Sequence, residues 1–240
     1  MIVPSLIKAK LIKKTLLNTT SAEFVFQLEN PKEWKTGQFA MIEIQDNQTP
    51  PIKRAYSIAS SYFSSPNIKF LIKRVENGRG TGWLFNTLQE GDFTNIMLPL
   101  GHMVLKEEST EKNANEILLI GTGIGAAPMF AFIEHMKELN FPIKTRFIFG
   151  TRYEEDLYFY EEMKELAKTY ENFEFYPTVS RPSENWKETP GRADKIINNL
   201  DINFNNQDAY ICGSPEVAKS LQTLLEELGT EKENIKMEAF

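Results

Sequence analysis

The chain predicts two domains of different grammar: an antiparallel β-barrel over residues 1–107 and a doubly wound α/β domain with a parallel sheet over 116–240, joined by a linker over 108–115. Three observations carry this. Apolar residues alternate with others in the first hundred positions, as at Phe24, Phe26 and Leu28, or at Ile68, Phe70 and Ile72 against Lys69 and Lys73. Such period-two patterning marks half-buried strands. After Glu116 the pattern changes to continuous apolar runs followed by helical segments, the mark of strands buried on both faces. Between the two lies a polar, charged run from Lys106 to Glu116 with no apolar anchor.

Turn residues cut the first region into about six short strands, as expected of a barrel: Asn30-Pro31, Thr49-Pro50-Pro51, Ser64-Ser65-Pro66-Asn67 and Glu90-Gly91-Asp92. One short helix interrupts them over Gly80–Leu88. In the second region, Ile117–Ile120, Arg146–Phe149, Phe173–Val179, Ala209–Cys212 and Ile235–Phe240 read as strands. Pro128–Leu139, Glu155 to about Tyr170, and Pro215–Leu228 read as helices.

Composition narrows the chemistry. A net charge of −6 argues against a nucleic-acid binder. The single cysteine, Cys212, makes no internal disulfide and cannot hold an iron–sulfur cluster. His102 and His135 are too few and too far apart for a metal site and are assigned to structure, so no metal is expected. No run approaches the roughly 18 residues of a membrane span, and a cytoplasmic protein is expected.

Arg54-Ala55-Tyr56-Ser57 places a guanidinium fork, an aromatic ring and a hydroxyl within one tetrapeptide. The fork suits a pyrophosphate, the ring can stack on an isoalloxazine, and the hydroxyl can bond a ring nitrogen. The plain alternative is a strand with an exposed arginine and a core tyrosine. Gly78-Arg79-Gly80-Thr81 opens the short helix, where free N–H groups and the helix dipole favour an anion; the alternative is a glycine turn with Thr81 as a helix cap. Gly121-Thr122-Gly123-Ile124-Gly125-Ala126 follows a strand and precedes a helix, the setting of a dinucleotide phosphate loop. Its usual acidic partner is missing: the end of the next strand reads Phe149-Gly150-Thr151-Arg152, and Arg152 favours a 2′-phosphorylated nucleotide.

Taken together, these motifs resemble the ferredoxin–NADP reductase superfamily over nearly the whole length, in its bacterial type without a fused iron–sulfur domain. The resemblance implies an FAD-binding barrel followed by an NAD(P)-binding α/β domain. Arg54 would hold the FAD pyrophosphate, Tyr56, Ser57 and Ile58 would lie at the isoalloxazine, and Gly78, Arg79, Gly80 and Thr81 would form a second phosphate motif. Gly121, Thr122, Gly123, Gly125 and Pro128 would form the nicotinamide dinucleotide loop. Tyr210 to Pro215 resembles the family's Cys-Gly motif, with Cys212 and Gly213 beside the nicotinamide. Glu238-Ala239-Phe240 resembles its Glu-x-aromatic tail, whose ring covers the flavin until nicotinamide displaces it. Ser57, Cys212 and Glu238 would serve hydride transfer and proton delivery. Ser180-Arg181 matches the 2′-phosphate site of some members and also sequences in members that use the unphosphorylated cofactor, so NADPH and NADH both stay open.

The implied activity is hydride transfer from NAD(P)H to FAD, then electron transfer to a separate one-electron carrier such as ferredoxin or flavodoxin. A flavin reductase that releases reduced flavin, and a non-catalytic flavin-binding regulatory subunit, are the alternatives.

Overall fold

A computed structural model describes residues 3–63, 67–106 and 114–240. The Ser64-Ser65-Pro66 turn and most of the expected linker over 108–115 lie outside the described residues. The backbone divides into two compact units, Met1–Val104 with Phe130–His135, and Leu105–Met129 with Met136–Phe240.

Six strands build the first unit: β1 (Ser5–Leu16), β2 (Ser21–Leu28), β3 (Phe39–Ile44), β4 (Ile52–Ser57), β5 (Ile68–Lys73) and β6 (Phe93–Leu100). They form one antiparallel sheet in the order β4-β3-β6-β1-β2-β5. Alternation decides which face is inside: Ile7, Ala9 and Leu11 of β1 are buried, while Lys8 and Lys10 between them are exposed. Phe24, Phe26 and Phe70 are fully enclosed, and burying each such ring contributes about 2–3 kcal/mol. The sheet is a half-barrel. Its end strands β4 and β5 share no ladder, and just beyond β4 the Ala59 N–H donates to the Lys69 carbonyl of β5 at 2.8 Å.

Helix α1 (Arg79–Asn86) is the predicted short helix. Its last carbonyls are met by a cation from β1: Lys14 Nζ donates to Leu84 O at 3.2 Å, Phe85 O at 3.3 Å and Leu88 O at 2.5 Å. A positive charge there complements both the unbonded carbonyls and the helix dipole.

The second unit holds five parallel strands, β7 (Glu116–Thr122), β8 (Thr145–Thr151), β9 (Phe173–Val179), β10 (Gln207–Gly213) and β11 (Ile235–Ala239), in the order β11-β10-β7-β8-β9. Its helices are α2 (Ala127–Glu138), α3 (Tyr160–Thr169), α4 (Ala193–Ile197) and α5 (Pro215–Glu227). β7 and β10 are neighbours although the chain runs from β7 to β8 first. Strand order therefore reverses between them, and α/β sheets bind ligands outside the carboxyl ends of strands at such a point.

Two local readings change. The expected helix from Glu155 to about Tyr170 begins only at Tyr160, because Phe159 takes a left-handed conformation with φ of 58°. The preceding Leu157 and Tyr158 are drawn into the core, Tyr158 against Phe149 with ring centroids 6.3 Å apart. α4, at five residues, is too short for a helical period to register.

Candidate functional site

In the first unit the site grows from β4 and the start of α1. Arg54 is exposed on β4, and its guanidinium makes only a 3.0 Å bond to the Lys53 carbonyl among the described residues. Its stem lies over Gly80: a Cβ there would stand 3.0 Å from Arg54 Cγ. Tyr56 packs edge-on to Phe70 at 6.4 Å, and burial pushes its hydroxyl up to about 12, against the opposing pull of Arg54. The ring is therefore a neutral plate. Ser57 is buried, and its hydroxyl has no hydrogen-bond partner among the described residues. Ile58 is a correction: expected at the cofactor, it is fully enclosed in the barrel core with its N–H given to the Gln38 carbonyl, so no surface remains for a ligand.

Gly78, not Thr81, is the N-cap of α1. The Thr81 hydroxyl instead accepts from Val75 N at 3.1 Å and closes the turn ahead of the helix. The N–H groups of Arg79, Gly80 and Thr81 have no backbone acceptor among the described residues, as first-turn donors generally lack one. No acidic residue occupies that turn. Arg79 departs from expectation. Its fork grips Asp46, Nε to Oδ2 at 2.6 Å and Nη2 to Oδ1 at 2.8 Å, and donates to the carbonyls of Gln48 and Pro50, both at 3.0 Å. That pairing pulls the Asp46 carboxyl down to about 2. Arg54 and three backbone N–H groups are what this unit offers a diphosphate, and with the Tyr56 plate and free Ser57 hydroxyl they fit a flavin nucleotide.

In the second unit the ends of β7 and β10 meet. Gly121 and Gly125 are required by close approach: a Cβ on Gly121 would stand 2.6 Å from Ala126 Cα, and one on Gly125 would stand 2.7 Å from the Cys212 carbonyl oxygen. Pro128 is buried at the start of α2. Cys212 is fully buried, and its register partner across the ladder is Glu238. The Glu238 Oε2 is buried without a hydrogen-bond partner, and burial raises its carboxyl to about 7. Phe240 donates its N–H to Gly213 O at 3.3 Å, with the side chain 55% exposed. Cys212, Gly213, Glu238 and Phe240 thus share one sheet edge.

Beside them opens a cavity of about 710 Å³ that brings Thr122, Gly123, Arg152, Ser180 and Arg181 together. Ladder-like bonds continue past β8 and β9, from Ser180 N to Thr151 O and from Arg181 N to Arg152 O, each 3.0 Å. They set the two arginines side by side. A third, Arg192, lines the same cavity with Ser214 and the carboxylates Asp194 and Glu216. None of the three arginines has a carboxylate partner among the described residues. Arg192 was missed because its signal, a Gly-Arg pair after a proline, reads as an ordinary turn. Thr178 holds that turn in place, donating to the Thr189 and Gly191 carbonyls at 3.0 and 3.1 Å.

A cradle for a flavin nucleotide on an antiparallel half-barrel, followed by a dinucleotide loop on a parallel sheet, defines a two-domain flavin- and nicotinamide-binding oxidoreductase. Residues 8–105 match the oxidoreductase FAD-binding domain, and residues 119–223 match the oxidoreductase NAD-binding domain. The chain thus belongs with the oxidoreductases that carry an FAD-binding domain followed by an NAD-binding domain.

Among curated proteins it is 26% identical to the reductase component of propane 2-monooxygenase from Rhodococcus jostii, over 87% of this chain and 56% of that one. It is also 26% identical to the ferredoxin–NAD(P)+ reductase component of the Pseudomonas putida naphthalene 1,2-dioxygenase system, over 97% of this chain and 70% of that one. Against the first three such relatives the chain spans 56–70% of their length. Among solved structures, an Amycolatopsis cytochrome P450 reductase superimposes with a TM-score of 0.90 at 20% identity, covering all of this chain and 71% of that one. A ferredoxin–NADP+ reductase from Neisseria gonorrhoeae with bound FAD and NADP gives 0.82 at 20% identity, covering 98% of each. At such identities these likenesses speak for the fold.

Among the described residues no helix is long and apolar enough to cross a membrane.

Proposed function

We propose that the protein is an NAD(P)H-dependent flavoenzyme that passes electrons through FAD to a separate one-electron carrier of the ferredoxin or flavodoxin kind, in the cytoplasm. The observation that carries this reading is the pairing, in one chain, of the Arg54–α1 phosphate cradle with a nucleotide cavity lined by Arg152, Arg181 and Arg192. Two curated relatives named as reductase components of oxygenase systems support the acceptor class.

When bound, FAD supplies a ring that takes two electrons as hydride and releases them singly. Arg54 and the first N–H groups of α1 would hold the diphosphate, Tyr56 would stack on the ring, and the Ser57 hydroxyl would bond its edge. Gly121 to Ala126 lets the nucleotide diphosphate approach the β7–β10 crevice. Cys212 supports that loop from beneath through its backbone. Glu238, protonated below about 7, holds a proton for delivery toward the flavin. Phe240, with its side chain 55% exposed, would serve as the aromatic that nicotinamide displaces. Arg152, Ser180, Arg181 and Arg192 suit a 2′-phosphate, which favours NADPH over NADH.

The test is an anaerobic absorption spectrum before and after each donor. A flavin band at roughly 450 nm that bleaches faster with NADPH than with NADH is expected. Protein that stays colourless after FAD reconstitution would refute the reading. Turnover of an artificial dye separates an enzyme from a regulatory subunit, which would show none.

A further inference from the structure

Of the three cavity arginines, Arg181 and Arg192 stand at the two ends of one irregular segment, residues 181–192, on the way from β9 to α4. Its one sheet contact among the described residues is the isolated bridge between Pro190 and Val179. With no ladder or helix to define its path, such a segment stands where its side-chain and turn bonds hold it. What fastens it therefore decides where the two guanidinium groups can reach.

Two carboxylates that lie outside the cavity lining do the fastening. Near the first arginine, Glu154 Oε1 accepts from Ser183 N at 2.7 Å, and the Tyr153 hydroxyl accepts from Arg181 Nη1 at 3.4 Å. Near the second, Glu188 Oε1 accepts from the Tyr160 hydroxyl at 2.9 Å and from Lys164 Nζ at 3.1 Å, both on α3. Trp186 packs on the Tyr160 ring from within the segment, with centroids 6.0 Å apart, and Lys164 Nζ stands 5.0 Å from that ring. The Tyr160 hydrogen bond, with Lys164 beside it, holds the Glu188 carboxyl below its usual range, so it is ionised at neutral pH. Beyond Glu188 the chain turns at Gly191, whose φ of 133° suits glycine, and delivers Arg192 to the cavity.

We propose that Glu188 is a positioning residue for donor selection: by tying segment 181–192 to α3 it holds Arg192, and with Glu154 also Arg181, in reach of one phosphate. The inference rests on the reading of this cavity as a 2′-phosphate site and adds what sets its geometry. An exposed ion pair contributes little to stability, so the use of this one is directional. A guanidinium fork grips phosphate only at a defined distance and angle, whereas the rest of the dinucleotide depends on Gly121 to Ala126. Slackening the segment weakens the phosphorylated nucleotide selectively.

The experiment uses two fragments that differ only at the group in question, 2′-phospho-AMP and AMP, each titrated calorimetrically into the purified protein. Wild type should prefer 2′-phospho-AMP. Glu188→Ala should weaken 2′-phospho-AMP about fivefold and leave AMP within about twofold, the size of effect that coupled neighbours show. Glu188→Gln, which still accepts from Tyr160, should restore most of the loss. Tyr160→Phe removes one donor and should give a smaller loss in the same direction, which guards against misfolding of the alanine variant. In turnover, the KM for NADPH should rise with the Kd of 2′-phospho-AMP while kcat and the KM for NADH hold. Placed on top of Arg181→Ala with Arg192→Ala, Glu188→Ala should add nothing, because its effect passes through those arginines. Unchanged 2′-phospho-AMP binding in Glu188→Ala, an equal loss of AMP, or an additive loss in the arginine background would overturn the inference alone. Wild type without a preference for 2′-phospho-AMP, or a double arginine variant that keeps one, would overturn the 2′-phosphate reading and the inference with it.

Discussion

In the proposed function the two units meet the same kind of group, a dinucleotide diphosphate, by opposite means. The half-barrel uses geometry: one exposed guanidinium, three backbone N–H groups and a close-fitting glycine, with its second arginine already neutralised by Asp46. The parallel-sheet unit uses charge: three arginines open to solvent, unpaired among the described residues, on a chain whose net charge is −6. Fixed donors lose little to salt, whereas exposed charges are screened over about 8–10 Å at physiological strength. Close fit suits a ligand that stays; open charge suits one that comes and goes.

The comparison breaks most sharply at Arg54. Arg54→Ala should weaken FAD binding about 100-fold, the loss expected when a charge-assisted fork is removed, measured by titration of stripped protein. An unchanged affinity would mean that the backbone donors suffice. Next in size, Arg181→Ala combined with Arg192→Ala should raise the KM for NADPH about 30-fold with little change for NADH, and 0.5 M salt should narrow the gap. Equal losses for both donors would assign these arginines to the shared diphosphate.

A smaller effect sharpens the geometric side. Lys14→Met removes the cation beneath two α1 carbonyls and that of Leu88 just past the helix, and should lower the stability of the first unit by about 1–2 kcal/mol, seen in a denaturant melt. FAD retention should fall alongside, because the cradle is the other end of the same helix. No change in either would make the lysine contact incidental.

The last concerns the pH dependence that Glu238 confers. Its folded pKa of about 7 lies above the 4.5 of a free side chain, so the folded protein holds a proton there that the unfolded chain has lost. Stability from this group is complete below about pH 4.5 and is lost as pH rises toward 7. Glu238→Gln should flatten that part of the pH–stability curve. A curve of unchanged slope would show that the carboxyl is not held neutral.

What could be read in advance follows from distance along the chain. Period-two runs such as Phe24-Phe26-Leu28 and the short Arg54–Ser57 and Gly121–Ala126 motifs are local, and their strand and turn settings were legible. The Asp46–Arg79 pair joins residues 33 positions apart, so nothing nearby announced that Arg79 would be committed elsewhere. Ile58 looked like part of its neighbouring motif, but it lies just past the end of β4 in a run, Ser57 to Ser60, that is buried throughout. Arg192 entered the nucleotide cavity through α4, a helix too short to leave a period. Phe159 gave no sign of delaying the start of α3, since bulky residues rarely take φ above zero.

The grip on α1 has a consequence for how the protein acquires its cofactor. Both ends of this eight-residue helix are fastened by distant chain, Asp46 at one end and Lys14, some 70 residues upstream, at the other. A helix this short has little stability of its own in water. Its phosphate-facing end is therefore shaped only after the long-range pairings of the half-barrel have closed, and such contacts form late. On this geometry the phosphate-facing end of α1 depends on distant chain being in place, so flavin loading is expected to follow closure of the half-barrel.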